Sequence, residues 1–97
     1  NSNRPRYSRA EVYHKLKTEV YPPCAKSPSA IRMDDDLESD LGYVNGSKAL
    51  LAPKTNTAFQ LTAPNWLLSH DFDEISIVRE HFQKTCDKLN ANGRLTS

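Results

Sequence analysis

The apolar positions of this chain fall into clusters with distinct spacings. Val12, Leu16 and Val20 recur every four residues, with Tyr13 beside them, which predicts one buried face of an amphipathic helix of about three turns. Ser8-Arg9-Ala10-Glu11 has the form of a capping box at its start. Pro22-Pro23 ends it, because proline has no amide to offer the helix. The last cluster is the most regular. Ile75, Val78, Phe82, Cys86 and Leu89 step by three and four, Ile77 flanks them, and Asn92-Gly93 supplies a stop. Asp71 or Asp73 is the expected cap of this helix.

Between these lies a less regular middle. Residues 22–36 read as a long loop, with Ile31 and Met33 as inward anchors. In Leu37-Glu38-Ser39-Asp40-Leu41-Gly42 the two leucines point inward, the acids face water, and Gly42 allows a backbone angle that other residues avoid. Gly46-Ser47 opens a second helix through Ala49, Leu50, Leu51 and Ala52. Pro53 either kinks this helix or falls in its first turn. Thr55, Asn56 and Thr57 are poor helix formers, Phe59 and Leu61 return to the core, and Pro64 closes the segment. Asn65-Trp66-Leu67-Leu68 is an apolar knot in which Trp66 is expected to cover the core. No stretch alternates with period two. The expected fold is all-α: a small bundle of three to four helices, the fourth short and near residues 65–70, with a long loop between the first two. Residues 1–7 are expected to be a flexible basic arm, 8–92 a single domain and 93–97 a tail.

Composition narrows this picture. Ninety-seven residues, 37% of them apolar, with mean hydropathy −0.70, make one small domain with a thin core. No apolar run approaches the roughly 18 residues of a membrane span. The expected location is cytoplasmic. The start at Asn1 rather than Met reads as processing or a cut boundary, which leaves an exported form open. Cys24 and Cys86 are too few for a disulfide framework and lack metal spacing; two free thiols are expected, or a single bridge if the chain is exported. Net charge is +1 but uneven. Residues 1–26 carry six Lys/Arg against two acids, residues 27–45 five acids against Arg32, and residues 46–70 only Lys48 and Lys54. Such a dipolar surface suits a protein partner.

Candidate chemistry is sparse. His14, His70 and His81 are isolated, and His81 is expected at the surface. His70, Asp71 and Asp73 read as a helix start rather than a metal set. Neither Cys86 nor Ser47 acquires a base and an orienting group. The aspartates 34–36 lack the alternation and Gly placement of a calcium loop. No enzymatic activity is expected. Arg4, Arg6, Arg9, Lys15 and Lys17, with Tyr7 and Tyr13 interleaved, could touch a phosphate backbone, but the acids at 34–40 oppose a polyanion, and nucleic acid is the lesser reading.

The order of these signals resembles the acyl and peptidyl carrier proteins. The acidic turn Leu37-Glu38-Ser39-Asp40-Leu41-Gly42, the Phe59 that falls seventeen residues past Gly42, the segment Phe59-Gln60-Leu61-Thr62-Ala63-Pro64, and Ile75-Ser76-Ile77-Val78 at the start of the last helix carry the resemblance. It covers most of residues 8–90 and implies a carrier-like helical bundle. In that family a serine shortly after the glycine bears 4'-phosphopantetheine. Here the slot reads Val44-Asn45-Gly46, and an amide cannot form the phosphodiester. The resemblance therefore implies a degenerate member: a non-enzymatic protein-interaction module without a cofactor, meeting its partner through Asn45, Gly46, Ser47 and Lys48. The alternative is a divergent carrier that bears 4'-phosphopantetheine on Ser47. A third reading is a generic three-helix domain that matches by accident.

Overall fold

A helix must satisfy its first amides, and the way this chain does so sets its architecture. The computed structural model describes residues 5–96. The first helix, α1 (Arg9–Lys15), opens with the expected capping box: the Ser8 hydroxyl accepts from the Glu11 amide at 3.2 Å, and the Glu11 carboxylate accepts from the Ser8 amide at 2.8 Å. It runs on through a wider π-type turn, Leu16–Val20, and stops at Tyr21, before the proline pair. Val12, Leu16, Val20 and Tyr21 are buried. The second helix, α2 (Leu51–Phe59), is led in by a 3-10 turn, Ser47–Leu50. Pro53 is thus the third helical residue, where its missing amide costs nothing. Where a short fourth helix is expected, near residues 65–70, the chain bends, and a 3-10 turn, Ser69–Asp73, begins only at the end of that stretch. The last helix, α3 (Val78–Ala91), is the longest. It ends as the sequence predicts, with Gly93 N–H on Asn90 O at 3.0 Å and Arg94 N–H on Leu89 O at 2.8 Å, the paired bonds of a Schellman motif. Among the described residues there are three α-helices and no strand, only the isolated pairings Tyr7–Leu95 and Asp36–Ile77.

The long loop is seated on the start of α3. Val78 N–H donates to Asp35 O and Arg79 N–H to Met33 O, each at 2.9 Å, and Leu37 N–H donates to Ser76 O at 2.9 Å. The Glu80 carboxylate takes the Ser76 amide at 2.6 Å and the Ile77 amide at 3.1 Å. These two amides hold its pKa below the usual carboxylate range. Neither Asp71 nor Asp73 caps α3. Asp71 belongs to the preceding 3-10 turn, where its carboxylate accepts from the Leu68 amide at 2.8 Å. Within the loop, burial works to raise the Asp35 pKa. The Arg32 amide and the Lys26 ammonium, which bonds both carboxylate oxygens at 2.9 Å, overcome that and lower it.

Two expectations fail in the core. His81 is not at the surface; it is fully buried. With Val78, Phe82, Thr85, Cys86 and Leu89 it lies on the inward stripe of α3. Its polarity is accommodated by partners distant in sequence: Nδ1 lies 2.8 Å from the Tyr21 hydroxyl and Nε2 lies 2.9 Å from Thr55 Oγ. The Thr55 hydroxyl donates to Leu51 O at 2.6 Å, so its oxygen accepts from Nε2–H, and Nδ1 accepts from Tyr21. Trp66, expected as a cover for the core, is instead 38% exposed; Leu67, held by Asn56 through both its N–H and its C=O, takes the inward position.

The terminal segments, read from sequence as arm and tail, meet each other as far as they are described; residues 1–4 and 97 lie outside the described range. Tyr7 N–H donates to Arg94 O at 2.9 Å and Thr96 N–H to Tyr7 O at 2.7 Å. Arg94 is buried. Its guanidinium donates to Pro5 O at 3.0 Å, to Gln60 O at 2.6 Å and to Phe59 O. The last two carbonyls are at the C-terminal end of α2, where the helix dipole favours a cation.

Two stability predictions follow from this core. Burial drives the His81 pKa down to about 3 from 6.5, so the unfolded chain binds the proton that the folded chain refuses. Stability is then full above pH 6.5 and falls as pH drops toward 3, by up to ~1.4 kcal/mol per unit. Urea titrations between pH 6.5 and about 5, above the carboxylate range, should show this slope, and His81→Gln should flatten it. Arg94→Leu strands three carbonyls and should cost on the order of 3 kcal/mol by chemical denaturation.

Candidate functional site

The segment picked out by sequence, Asn45 to Lys48, forms the head of α2. Asn45 (φ 58) and Gly46 (φ 83, ψ −2) are both left-handed, and Ser47 N–H donates to Val44 O at 3.1 Å. This is a type I′ turn, for which Asn-Gly is the favoured pair. That dipeptide was a usable local signal; a reading of the segment as merely polar passes over it. Gly42 (φ 90) fulfils the expected role one turn earlier, with Leu37 and Leu41 buried beneath it. The acidic turn between them is closed by Asp36. Its carboxylate accepts from the Glu38 and Ser39 amides at 2.9 and 3.0 Å, and those two bonds lower its pKa.

The four residues do different things. Asn45 and Gly46 are exposed. The Ser47 hydroxyl is turned back, donating to Val44 O at 2.7 Å. Lys48 is drawn inward: its ammonium donates to Ile75 O at 2.8 Å and stands 3.8 Å from the Glu38 carboxylate. It ties the head of α2 to the approach of α3. Lys54 is engaged too, on Pro22 O at 3.2 Å. Both lysines of the 46–70 segment therefore bond to backbone carbonyls of their own chain.

Sequence reasoning missed the exposed apolar side chains of residues 44–68. Val44 is 47% exposed, Leu50 64%, and Leu68 42%, alongside Trp66. The 3-10 turn bearing Leu50 packs against the 3-10 turn that Leu68 precedes. A depression of about 220 Å³ beside this contact is lined by Glu38, Gly46, Lys48, Ala49, Phe72 and Asp73. A larger open groove of about 600 Å³ runs along α3 between His70, Asp71, Glu74, Arg79, Lys84 and Asp87. Its lining is of mixed charge, so it lacks the apolar walls of a small-molecule site. His70, Asp71 and Asp73 lie on one 3-10 turn, and among the described residues no group of three or more His, Cys, Asp or Glu side chains is placed to hold a metal ion.

The basic and aromatic set near the N-terminus is partly engaged in contacts of its own. Arg4 lies outside the described residues. Lys15 pairs with Glu19 at 2.9 Å, Lys17 lies 4.2 Å from the Tyr13 ring centre, and Tyr7 packs edge-on against Phe59. The Tyr13 hydroxyl donates to Ile31 O at 2.9 Å. These contacts engage both rings within the chain itself. Cys24 and Cys86 are both free thiols, and Cys86 is buried.

Gly46→Ala tests the turn alone, since a Cβ there would meet nothing within 4 Å. The left-handed backbone should by itself cost ~1 kcal/mol in a urea titration, with the helical circular-dichroism signal of the folded chain unchanged. Among the described residues no helix is long and apolar enough to cross a membrane. Set against known proteins, the chain matches no family model, no curated protein and no solved structure.

Proposed function

We propose that this chain is a non-enzymatic protein-interaction module of carrier-like architecture that works in the cytoplasm and docks through the head and outer side of α2. One observation carries the proposal. From Leu41 to Ser69 the sequence holds only two charged residues, Lys48 and Lys54, and both are bonded to carbonyls of the chain itself. In a protein in which 26% of residues are charged, that leaves a segment poor in free charge, within which Val44, Leu50, Trp66 and Leu68 are exposed. Depletion of charge around exposed apolar and aromatic side chains, with acids such as Glu38 and Asp73 at the edge, is the composition of an interface core with a polar rim.

The carrier-like part of the proposal rests on the order of elements: a first helix, a long loop, the turn seated by Leu37 and Leu41, a helix ending at Phe59, a short 3-10 turn and a last helix. Two features support the reading without a prosthetic group. An amide stands at Asn45, and the Ser47 hydroxyl is bonded inward to Val44 O with Lys48 held beside it.

The test is capture from an extract of the source cells. Wild-type chain should retain a discrete partner, and Leu50→Asp should reduce retention by at least ~10-fold, while His14→Ala, exposed on α1, leaves it intact. Retention of nothing above background, with no self-association, would refute docking, and so would an unaffected Leu50→Asp. Incubation with a phosphopantetheinyl transferase and coenzyme A addresses the divergent carrier. The intact mass should not change; a gain of one phosphopantetheine that Ser47→Ala abolishes would replace this proposal with the carrier.

A further inference from the structure

The chain contains two Asn-Gly pairs, and the fold treats them in opposite ways. At the end of α3 the Asn92 side-chain amide donates to Asn65 O at 3.0 Å and to Lys88 O at 2.9 Å, and Gly93 N–H is bonded to Asn90 O at 3.0 Å. At the head of α2 both Asn45 and Gly46 are exposed. Among the described residues no hydrogen bond holds the Asn45 side-chain amide, and none holds the Gly46 N–H. No atom lies within 4 Å of where a Gly46 side chain would begin. The two reacting groups of an Asn-Gly pair are the side-chain carbonyl carbon and the next backbone nitrogen. In one pair both groups are held in place, and in the other both are free.

We propose that Asn45 is a site of spontaneous modification, deamidated through a succinimide formed with Gly46, and that Asn92 is protected. The Gly46 nitrogen gives up its proton to a solvent base and bonds to Cγ of Asn45. The Cγ–Nδ2 bond breaks, and ammonia leaves with a proton from solvent. Water then opens the five-membered imide at either carbonyl, leaving aspartate or isoaspartate at position 45. The balance is one water consumed and one ammonia released, with no oxidant or reductant. Both products replace a neutral amide with a carboxylate at the exposed turn that leads into α2. The isoaspartate also adds a methylene to the main chain there, in a turn whose geometry depends on the left-handed angles of both residues. A negative charge near the start of a helix is electrostatically tolerated, so the modified chain stays folded and differs mainly at this exposed corner. The proposal is independent of the docking reading, since it concerns only the reactivity of the pair.

The experiment incubates the intact, folded chain at mildly alkaline pH and physiological temperature. Deamidation at each asparagine is followed by peptide mass mapping, and isoaspartate by methyl transfer from a protein isoaspartate methyltransferase. Position 45 should deamidate at least ~10-fold faster than position 92, because Asn92 must first break its hydrogen bonds. In concentrated urea the two rates should converge, since both pairs have the same reacting groups. Asn45→Gly, which suits the left-handed angle, should abolish methyl incorporation at the turn without slowing the slow site. Equal rates at 45 and 92 in the folded chain would overturn the proposal. So would a position 45 that reacts in urea but is as protected as position 92 when folded.

Discussion

The first amides of α3 have no partners within their own helix, and the rest of the structure is arranged around their satisfaction. The chain places the backbone of a loop more than forty residues earlier in sequence against them, with Asp35 O on Val78 and Met33 O on Arg79. A third bond, Leu37 N–H to Ser76 O, extends the seam. Backbone bonds of this kind each contribute only ~1 kcal/mol, but breaking them would leave buried groups unpaired at greater cost. The seam therefore fixes where the acidic turn lies. Leu37 and Leu41 drop into the core beneath it, Gly42 turns the chain out, and the Asn-Gly turn then delivers the head of α2. The candidate surface is placed by the helix on the opposite side of the seam, and the Lys48 bond to Ile75 O closes the circuit.

A second constraint works at the centre. His81 joins the end of the first helical segment, α2 and α3 through Tyr21 and Thr55. A buried hydrogen-bonded chain is directional: each donor must meet an acceptor, so the three elements can meet in only a narrow range of arrangements. In a domain with so few apolar residues, this specificity complements a thin core. The same burial that lowers the His81 pKa raises that of Tyr21 well above its ordinary value and pushes Tyr43 up to about 12. The centre is thus neutral throughout the physiological range, with each proton on a defined atom.

What could be read from the sequence was local. The Ser8–Glu11 box, the α1 stripe, the inward leucines around Gly42 and the Gly93 stop each depend on residues within four or five positions of one another, and the structure has them as the pattern implies. What escaped is non-local. His81 looked like a surface residue because its partners, Tyr21 and Thr55, lie 60 and 26 positions away. Arg94 looked like part of a tail because its acceptors lie 89, 34 and 35 positions away. The capping of α3 was assigned to Asp71 or Asp73 because the true source, a loop backbone, has no side-chain signature. Periodicity reports which face a helix buries, but not which polar groups that face can satisfy.

The same distinction explains why the candidate surface was only half visible. Four residues at the head of α2 were legible as a place, because turn chemistry is local. Their quality as a surface was not, because it depends on where Lys48 and Lys54 go. In sequence these two lysines give the segment a net positive charge. In the fold each ammonium is bound to a carbonyl of another segment, and Leu50 is the most exposed large apolar side chain of the stretch between them. An ammonium held on a backbone carbonyl keeps its charge, but it is not free to swing onto a partner's carboxylate. The specificity of any docking at this corner must then come from shape and apolar contact at its centre and from the carboxylates at its edge.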